Sequence, residues 1–293
     1  MDFSKLKGEI FFNNSFINSR KANIHVLNHS LHFASSVFEG IGVYNGKPLF
    51  LKEHLIRLKR SSEIMKLSLS YSIKNLEKIC RKLVSKNKIR NGYIRPIVFR
   101  SSHSMSPETK LCKSQIAIAA WKWGKLFKKR ALSLEISKYP KLNKTVYPVD
   151  AKSSGGYQTS VIARSNLEGT KFDDCLMLDL KSYIAETSAC NIFWIKKNVL
   201  YTPTENAILN GVTRRCILKI CKLNKIKYKT GNFKLKDIYS ADYAFMTGTA
   251  AEIQPIKSIR NVKYKINSEL VNFLKIKYES IKEISPNLIE DLN

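Results

Sequence analysis

The chain lacks any apolar run long enough to cross a bilayer. Its longest, near Gln115 to Trp121, falls far short of the ~18 residues a membrane helix needs. The N-terminus, MDFSKLKGEIFF, has neither a long apolar core nor a small-residue cleavage site, so no signal peptide is expected. None of the six cysteines (Cys80, Cys112, Cys175, Cys190, Cys216 and Cys221) forms a C-x-x-C pair. Scattered in this way they read as reduced thiols of a cytoplasmic protein, with no metal site and no disulfide framework. Internal repeats and low-complexity tails are also missing. Acidic residues are scarce: 23 Asp and Glu stand against 51 Lys and Arg, a net charge of +28. Such an excess raises nucleic-acid or acidic-membrane binding. A binding face clusters its charge and favours Arg, whereas here Lys greatly outnumbers Arg and is scattered along the whole chain. Together with abundant Ile and Asn, this reads as the coding bias of an AT-rich genome. Neither nucleic acid nor membrane is therefore the expected partner.

What is present suffices for a large core: 293 residues, 44% hydrophobic and 10% aromatic, enough for two domains or one large one. EIFFNNSFINS reads as a hairpin turning at Asn13-Asn14, and VFEGIGVYNGKPLFL as a second turning at Asn45-Gly46. Helical spacing follows at Leu55, Leu58, Ser62 and Met65, and again at Leu76, Ile79, Cys80 and Leu83. GYIRPIVFRSS and KSQIAIAAWKW are apolar strands. The basic stretch 124–131 reads as a linker between a smaller α/β domain, 1–123, and a larger one, 132–293. In the second half LSLEISKY, CLMLDL, NIFWIK and YAFMTG read as strands. Helices are expected over Gln158 to Asn166, VTRRCILKICKLN and INSELVNFLKIKYESI. The whole is an α/β fold.

Lys152 stands out in DAKSSGGY, collared by Ala151, Ser153, Ser154, Gly155 and Gly156. A lysine attacks carbonyls only as the free amine, best when burial or nearby positive charge lowers its pKa. A P-loop is excluded, because Lys152 precedes its glycines. On position alone a surface loop lysine is the ordinary alternative. Glu186, in IAETSACNIF, lies at a turn between two strand-like runs; it faces water there or sits beside a ring nitrogen that it keeps protonated. GVTR, at Gly211 to Arg214, opens a helix whose N-terminus can receive an anion. TGTAAE, at Thr247 to Glu252, ends a strand in small residues that offer N–H groups. His25, His29 and His32 have helical spacing, but no acidic ligand accompanies them, so no metal is expected. Arg57 lies in EHLIRLKRSS, where a solvated face is the ordinary reading.

Taken in order, HSLHFASSVFEGI, EHLIRL, GYIRP, AKSSGGY, IAETSACNIF, GVTR and FMTGTAAEI resemble the branched-chain amino-acid aminotransferases, the fold-type IV pyridoxal-phosphate enzymes. The likeness runs from about Ile10 to Ile259, and the 34 residues from Lys152 to Glu186 suit the family.

The resemblance implies two α/β domains with the cofactor, pyridoxal 5′-phosphate, in the cleft between them, and at least a homodimer. It implies that Lys152 is catalytic, holding the cofactor's aldehyde carbon and then moving a proton between substrate Cα and C4′. Tyr157 would bond the phenolic oxygen, and Glu186 the pyridine nitrogen. Arg57, Val212, Thr213 and Thr249 would hold the phosphate. Thr249 and Ala250, helped by Tyr93, would receive the substrate α-carboxylate. Phe38 and Gly40 would wall the aliphatic pocket, and Arg95 would reach the distal carboxylate of glutamate. The implied reaction is reversible ping-pong transfer between leucine, isoleucine or valine and 2-oxoglutarate. A D-amino-acid aminotransferase or aminodeoxychorismate lyase keeps the fold and changes the substrate; a nucleic-acid-binding protein is the alternative of another class. The chain departs from the family pattern at Gly156 (usually Asn), Phe33 (often an aromatic hydroxyl), Gly42 (commonly Arg) and in the segment PKLNKTVYPVD before the lysine.

Overall fold

The computed structural model describes residues 2–124 and 126–292. The chain divides into two compact units. The first comprises Met1–Gly124, Ala151–Gly155 and Lys282–Asp291; the second comprises Lys125–Asp150, Gly156–Ile281 and Leu292–Asn293. These are not the linear divisions 1–123 and 132–293: the segment with Lys152 groups with the first unit. Of the linker 124–131, Lys125 lies outside the described residues.

In the first unit β1 (Glu9–Phe12) and β2 (Ser15–Asn18) form the hairpin, with Asn13 at φ 51° in its turn. A short helix, α1 (His29–Phe33), leads into β3 (Ser36–Phe38). The second hairpin, β4 (Ile41–Tyr44) and β5 (Lys47–Pro48), turns at Asn45 and Gly46, both with positive φ, the geometry that Asn-Gly adopts at little cost. Two helices follow, α2 (Leu51–Ile64) and α3 (Ile73–Lys86). Ser72 caps α3 by accepting from the Asn75 N–H at 3.2 Å. Leu55, Leu58, Leu76, Cys80 and Leu83 lie fully buried in one core with Ile41, Ile94 and Ile118. The long strands β6 (Gly92–Arg100) and β7 (Ser114–Lys122) complete a sheet of order β2-β1-β7-β6-β4-β5 among the described residues, with β3 also on β6. All its pairings are antiparallel.

One irregularity in this sheet positions the site. β3 and β4 share the same side of β6, pairing at Phe38↔Ile97 and Ile41↔Ile94. Between them, opposite Pro96, the ladder is interrupted at Glu39 and Gly40. Proline has no N–H to offer a ladder, so the break falls where pairing is weakest. The Glu39 N–H spans it, donating to the Pro96 carbonyl at 2.9 Å.

The second unit contains β8 (Leu132–Ile136), α4 (Gln158–Ser165), β9 (Asp174–Leu178), β10 (Ile184–Thr187), β11 (Asn191–Lys196) and β12 (Val199–Pro203). It continues with α5 (Val212–Leu223), β13 (Tyr228–Gly231), α6 (Leu235–Tyr239), β14 (Tyr243–Gly248), β15 (Glu252–Ile259), β16 (Val262–Lys263) and α7 (Glu269–Ile284). Its mixed sheet runs β10-β9-β8-β15-β14-β11-β12-β13, with β16 on β15. The parallel pairs are β8 with β9, β8 with β15, and β12 with β13. Ile192, Trp194, Met246 and Ile256 centre its core. The stretch IAET was expected as a turn. It is instead the strand β10, with all four residues buried, because Ile184 and Ala185 pack into separate apolar clusters and the strand pairs with β9.

Among the described residues no helix is long and apolar enough to cross a membrane. The three histidines do not share a helix, since α1 begins only at His29. The buried His29 ring contacts the Ser35 hydroxyl at 2.7 Å and the Ser106 carbonyl at 3.1 Å.

Candidate active site

In the first unit the Lys152 segment is stitched onto β3. Val37 and Ser153 make an antiparallel bridge, the Phe38 N–H donates to the Lys152 carbonyl at 3.0 Å, and the Ser154 N–H donates to that of Ser36 at 2.9 Å. The hydroxyls of Ser36 and Ser154 meet at 2.6 Å, and the Lys152 N–H donates to Ser61 of α2 at 3.0 Å. The small residues of the collar are what allow this close backbone approach. Lys152 itself is half-buried, with its amine 4.9 Å from the centre of the Phe38 ring. Desolvation, then the Arg57 guanidinium, push the amine down to about 8; Glu39 and Tyr93 oppose the shift and Arg95 adds to it.

Glu39, buried at the break in the sheet, accepts from Arg57 Nε at 2.6 Å and Nη2 at 2.9 Å, a bidentate pair. It also accepts from His54 Nδ1 at 2.8 Å. Burial alone would raise the Glu39 carboxyl, but Arg57 and His54 outweigh it and hold it well below the usual carboxylate range. Burial lowers the pKa of His54 despite the pull of Glu39, so the ring is a neutral donor at pH 7. Arg57 is thus not on a solvated face: its side chain is only 11% exposed. Glu39 and His54 were missed by the sequence reading, although both stand inside quoted stretches, VFEGI and EHLIRL.

Tyr93 and Arg95 project from β6 beside this group. The Tyr93 hydroxyl occupies the space above Gly40, where a Cβ would lie 1.8 Å from it. The Arg95 guanidinium stacks on Phe38 at 4.8 Å and Tyr93 at 5.5 Å, and its buried Nε has no hydrogen-bond partner among the described residues. Trp121 and Trp123 close on Tyr93 at 5.5 and 4.7 Å. The structure therefore brings Phe38, Gly40, Arg57, Tyr93, Arg95 and Lys152 into one unit.

The second unit holds Tyr157, Glu186, Val212, Thr213, Thr249 and Ala250. Glu186 accepts from Lys141 Nζ at 3.0 Å and from Asn191 Nδ2 at 3.0 Å. Asn191 links this carboxylate to the other motifs. Its Nδ2 also donates to the Leu209 carbonyl at 2.9 Å, it pairs with Thr247 across β11 and β14, and a Cβ on Gly211 would lie 2.2 Å from its Oδ1. Gly211 opens α5 with no side chain to cap it, so the first amides of the helix at Val212 and Thr213 take no bond from their N-cap residue. Thr213 is buried and hydrogen-bonded to Tyr278. Thr247 Oγ1 is buried without a partner among the described residues, directly before the turn that carries Thr249 and Ala250. Lys141, Asn191 and Thr247 were not singled out from sequence; Asn191 had a signal, five residues beyond Glu186 on the next strand.

Chemically, the first unit offers an amine that is neutral in part at pH 7, beside an arginine fixed by a carboxylate. The second offers a buried carboxylate and a set of donors suited to anions. Comparison with known proteins agrees with these chemistries. The model of the family described as amino-transferase class IV matches residues 36–259. The chain is 36% identical over 275 residues to a probable branched-chain-amino-acid aminotransferase of Rickettsia bellii, covering 93% of this chain and 95% of that protein. It is 36% identical to the branched-chain-amino-acid aminotransferase of Pseudomonas aeruginosa, covering 88% and 87%. Among solved structures, the branched-chain aminotransferase of Thermoproteus uzoniensis with norvaline superposes with a TM-score of 0.90 at 29% identity, covering 94% of this chain and 95% of that one. The branched-chain amino acid aminotransferase of Escherichia coli gives 0.89 at 29% identity, covering 94% of each chain. A further branched-chain amino acid aminotransferase, solved with pyridoxamine 5′-phosphate, gives 0.90 at 29% identity and covers 96% of each chain.

Proposed function

The chain belongs to the class IV aminotransferases, and on that premise we propose that it is a branched-chain amino-acid aminotransferase, exchanging the amino group between L-leucine, L-isoleucine or L-valine and 2-oxoglutarate. The observation that carries this reading is Lys152: a desolvated amine with a pKa near 8, held by small residues against a sheet edge.

The residues present fit the family's cofactor, pyridoxal 5′-phosphate. When bound, it supplies an aldehyde that condenses with amines and a ring that accepts the electron pair left on a substrate carbon. Lys152 would be the nucleophile toward that aldehyde and, as a free amine, would move a proton to and from the substrate Cα. In the first unit Arg57, oriented by Glu39, supplies fixed positive charge suited to a phosphate. In the second unit the start of α5 at Val212 and Thr213, with Thr249, supplies donors suited to an anion. Tyr157 is assigned to the phenolic oxygen and Glu186 to the ring nitrogen. Thr249 and Ala250 are assigned to the substrate α-carboxylate; the Thr247 hydroxyl, unpartnered among the described residues, supports an anion at this turn. Phe38 and Gly40 border the aliphatic side chain. Arg95, with an unused Nε, takes the distal carboxylate of glutamate.

A second copy of the chain is the expected partner. Ile24, Val26, Leu27, Leu31 and Phe33 are all exposed within ten residues of the first unit, an apolar concentration that a monomer rarely leaves in water. A cytoplasmic location is consistent with six buried cysteines, none of them in a disulfide among the described residues.

The reading is tested by absorption titration of the purified, cofactor-loaded protein. L-leucine and L-glutamate should each bleach the visible band while D-alanine does not, and Lys152→Ala should lose turnover. Bleaching by D-alanine alone would overturn the substrate assignment, and normal turnover by Lys152→Ala would overturn the mechanism.

A further inference from the structure

The segment before the lysine, PKLNKTVYPVD, departs from the family pattern, yet it places a charge deep in the second unit. Lys141 is a buried lysine, its side chain 8% exposed, against a Glu186 side chain that is 7% exposed. Its backbone N–H is fixed to the Leu178 carbonyl at the end of β9, at 2.7 Å. Its ammonium donates to Glu186 Oε1 at 3.0 Å and to Ser160 of α4 at 3.0 Å, and lies 5.4 Å from the centre of the Tyr157 ring. Ser160 is itself buried. An ammonium so enclosed is fully committed to holding this carboxylate in place.

We propose that Lys141 is a positioning residue for the reaction: with Asn191 it holds the Glu186 carboxylate as an oriented anion before the cofactor arrives. The inference rests on Glu186 being the partner of the pyridine nitrogen. A carboxylate oxygen accepts about two hydrogen bonds, and here each oxygen takes one, from Lys141 and Asn191, so acceptor capacity remains for a ring N–H. A carboxyl buried without a counter-charge takes up a proton instead, and a neutral acid cannot keep a ring nitrogen protonated. Lys141 itself stays charged: burial works against it, but Glu186 and then Tyr157 raise it above its ordinary value. The other titratable groups near the pair do not take over this task. Cys175 is buried and its thiol is pushed up to about 12. Arg214 directs its terminal nitrogens to Glu205, Asn210 and the Pro203 carbonyl.

The test is a binding titration of apoprotein, read by absorbance and tryptophan quenching between pH 5.5 and 8 or so, with pyridoxal phosphate and with its analogue carrying carbon in place of the ring nitrogen. Wild type is compared with Lys141→Met, Lys141→Arg, Glu186→Gln and the Met/Gln double variant, each checked for folding by circular dichroism. Relative to wild type, Lys141→Met should bind pyridoxal phosphate about tenfold more weakly at the acid end of this range, with the loss shrinking as pH rises. Lys141→Arg should restore most of it, the carbon analogue should be bound equally with or without Lys141, and Lys141→Met should add no loss in the Glu186→Gln background. Where Lys141→Met does not fold, Lys141→Gln, which keeps a donor without the charge, carries the same comparison. Wild-type affinity in the methionine variant, an equal loss for both ligands, or no restoration by arginine would overturn the proposal. If Glu186→Gln itself does not distinguish the two ligands, the pyridine assignment fails first, and Lys141 falls with it.

Discussion

Lys152 gives up water for a surrounding that does not welcome a positive charge. Its ordinary value near 10.5 falls to about 8, first by desolvation and then by Arg57. The sign of the linkage follows. The folded state binds this proton more weakly than the unfolded chain, so a stability penalty is fully present below about pH 8 and disappears as pH rises toward 10 or so. Lys152→Met in the apoprotein should therefore raise unfolding stability at pH 7, by roughly 3 kcal/mol at most, with the gain vanishing near pH 10. Urea melts at several pH values would show it, and a gain independent of pH would mean that packing, not charge, is responsible. Glu39 is the opposite case. Its folded pKa is depressed, so its contribution is present above the normal carboxylate value and persists until pH falls well below it. Glu39→Gln removes the bidentate counter-charge of the buried Arg57 and should cost about 3 kcal/mol in the same melts at pH 7. Loss of under a tenth of that would show that Arg57 finds another partner. Neither Glu39 nor His54 could be read from sequence as functional, because their meaning lies in partners that only folding supplies. Glu39 meets Arg57 because β3 ends opposite a proline on β6, a coincidence of register with no local signature.

Elements were more legible than their junctions. The two Asn turns, the Leu spacing of α2 and α3, and the strands β6 and β7 follow from local periodicity and turn chemistry. IAET was misread because its strand is buried on both faces and contains a glutamate and a threonine, so no alternation marks it. The collar of Lys152 and the start of α5 were visible, but how they are held was not. Gly211 illustrates what a junction requires. It has ordinary backbone angles, so any residue could adopt them, yet a Cβ would lie 2.2 Å from Asn191 Oδ1. Gly211→Ala must displace Asn191, which ties Glu186 to the Leu209 carbonyl. The expected result is a stability loss of about 1–3 kcal/mol together with weaker cofactor retention on dialysis. A stability loss with undiminished retention would separate Asn191 from the site.

At the scale of the whole molecule two features compete: a charge of +28 and an exposed apolar stretch, Ile24 to Phe33. Like charge repels second copies of the chain and attracts polyanions, and both effects are screened over a Debye length of about 8 Å at physiological salt. Apolar burial is not weakened by such screening. The two partners the sequence allows therefore respond to salt with opposite signs. If self-association through the apolar stretch prevails, sedimentation velocity should show a dimer or higher species that strengthens between roughly 50 and 300 mM NaCl as the repulsion is screened. Val26→Asp and Leu31→Asp, at residues 67% and 61% exposed, should shift it toward monomer while leaving the circular dichroism spectrum of the fold unchanged, because neither side chain packs in the monomer's core. Retention on DNA, by contrast, should fall steeply over the same range if it occurs at all. A monomer at every salt concentration, with strong DNA retention persisting at the upper end, would return the basic charge to the centre of the account. A salt-strengthened oligomer broken by either aspartate would assign the apolar stretch to the partner subunit and leave the lysines to solubility, a role their even scatter along the chain already suits.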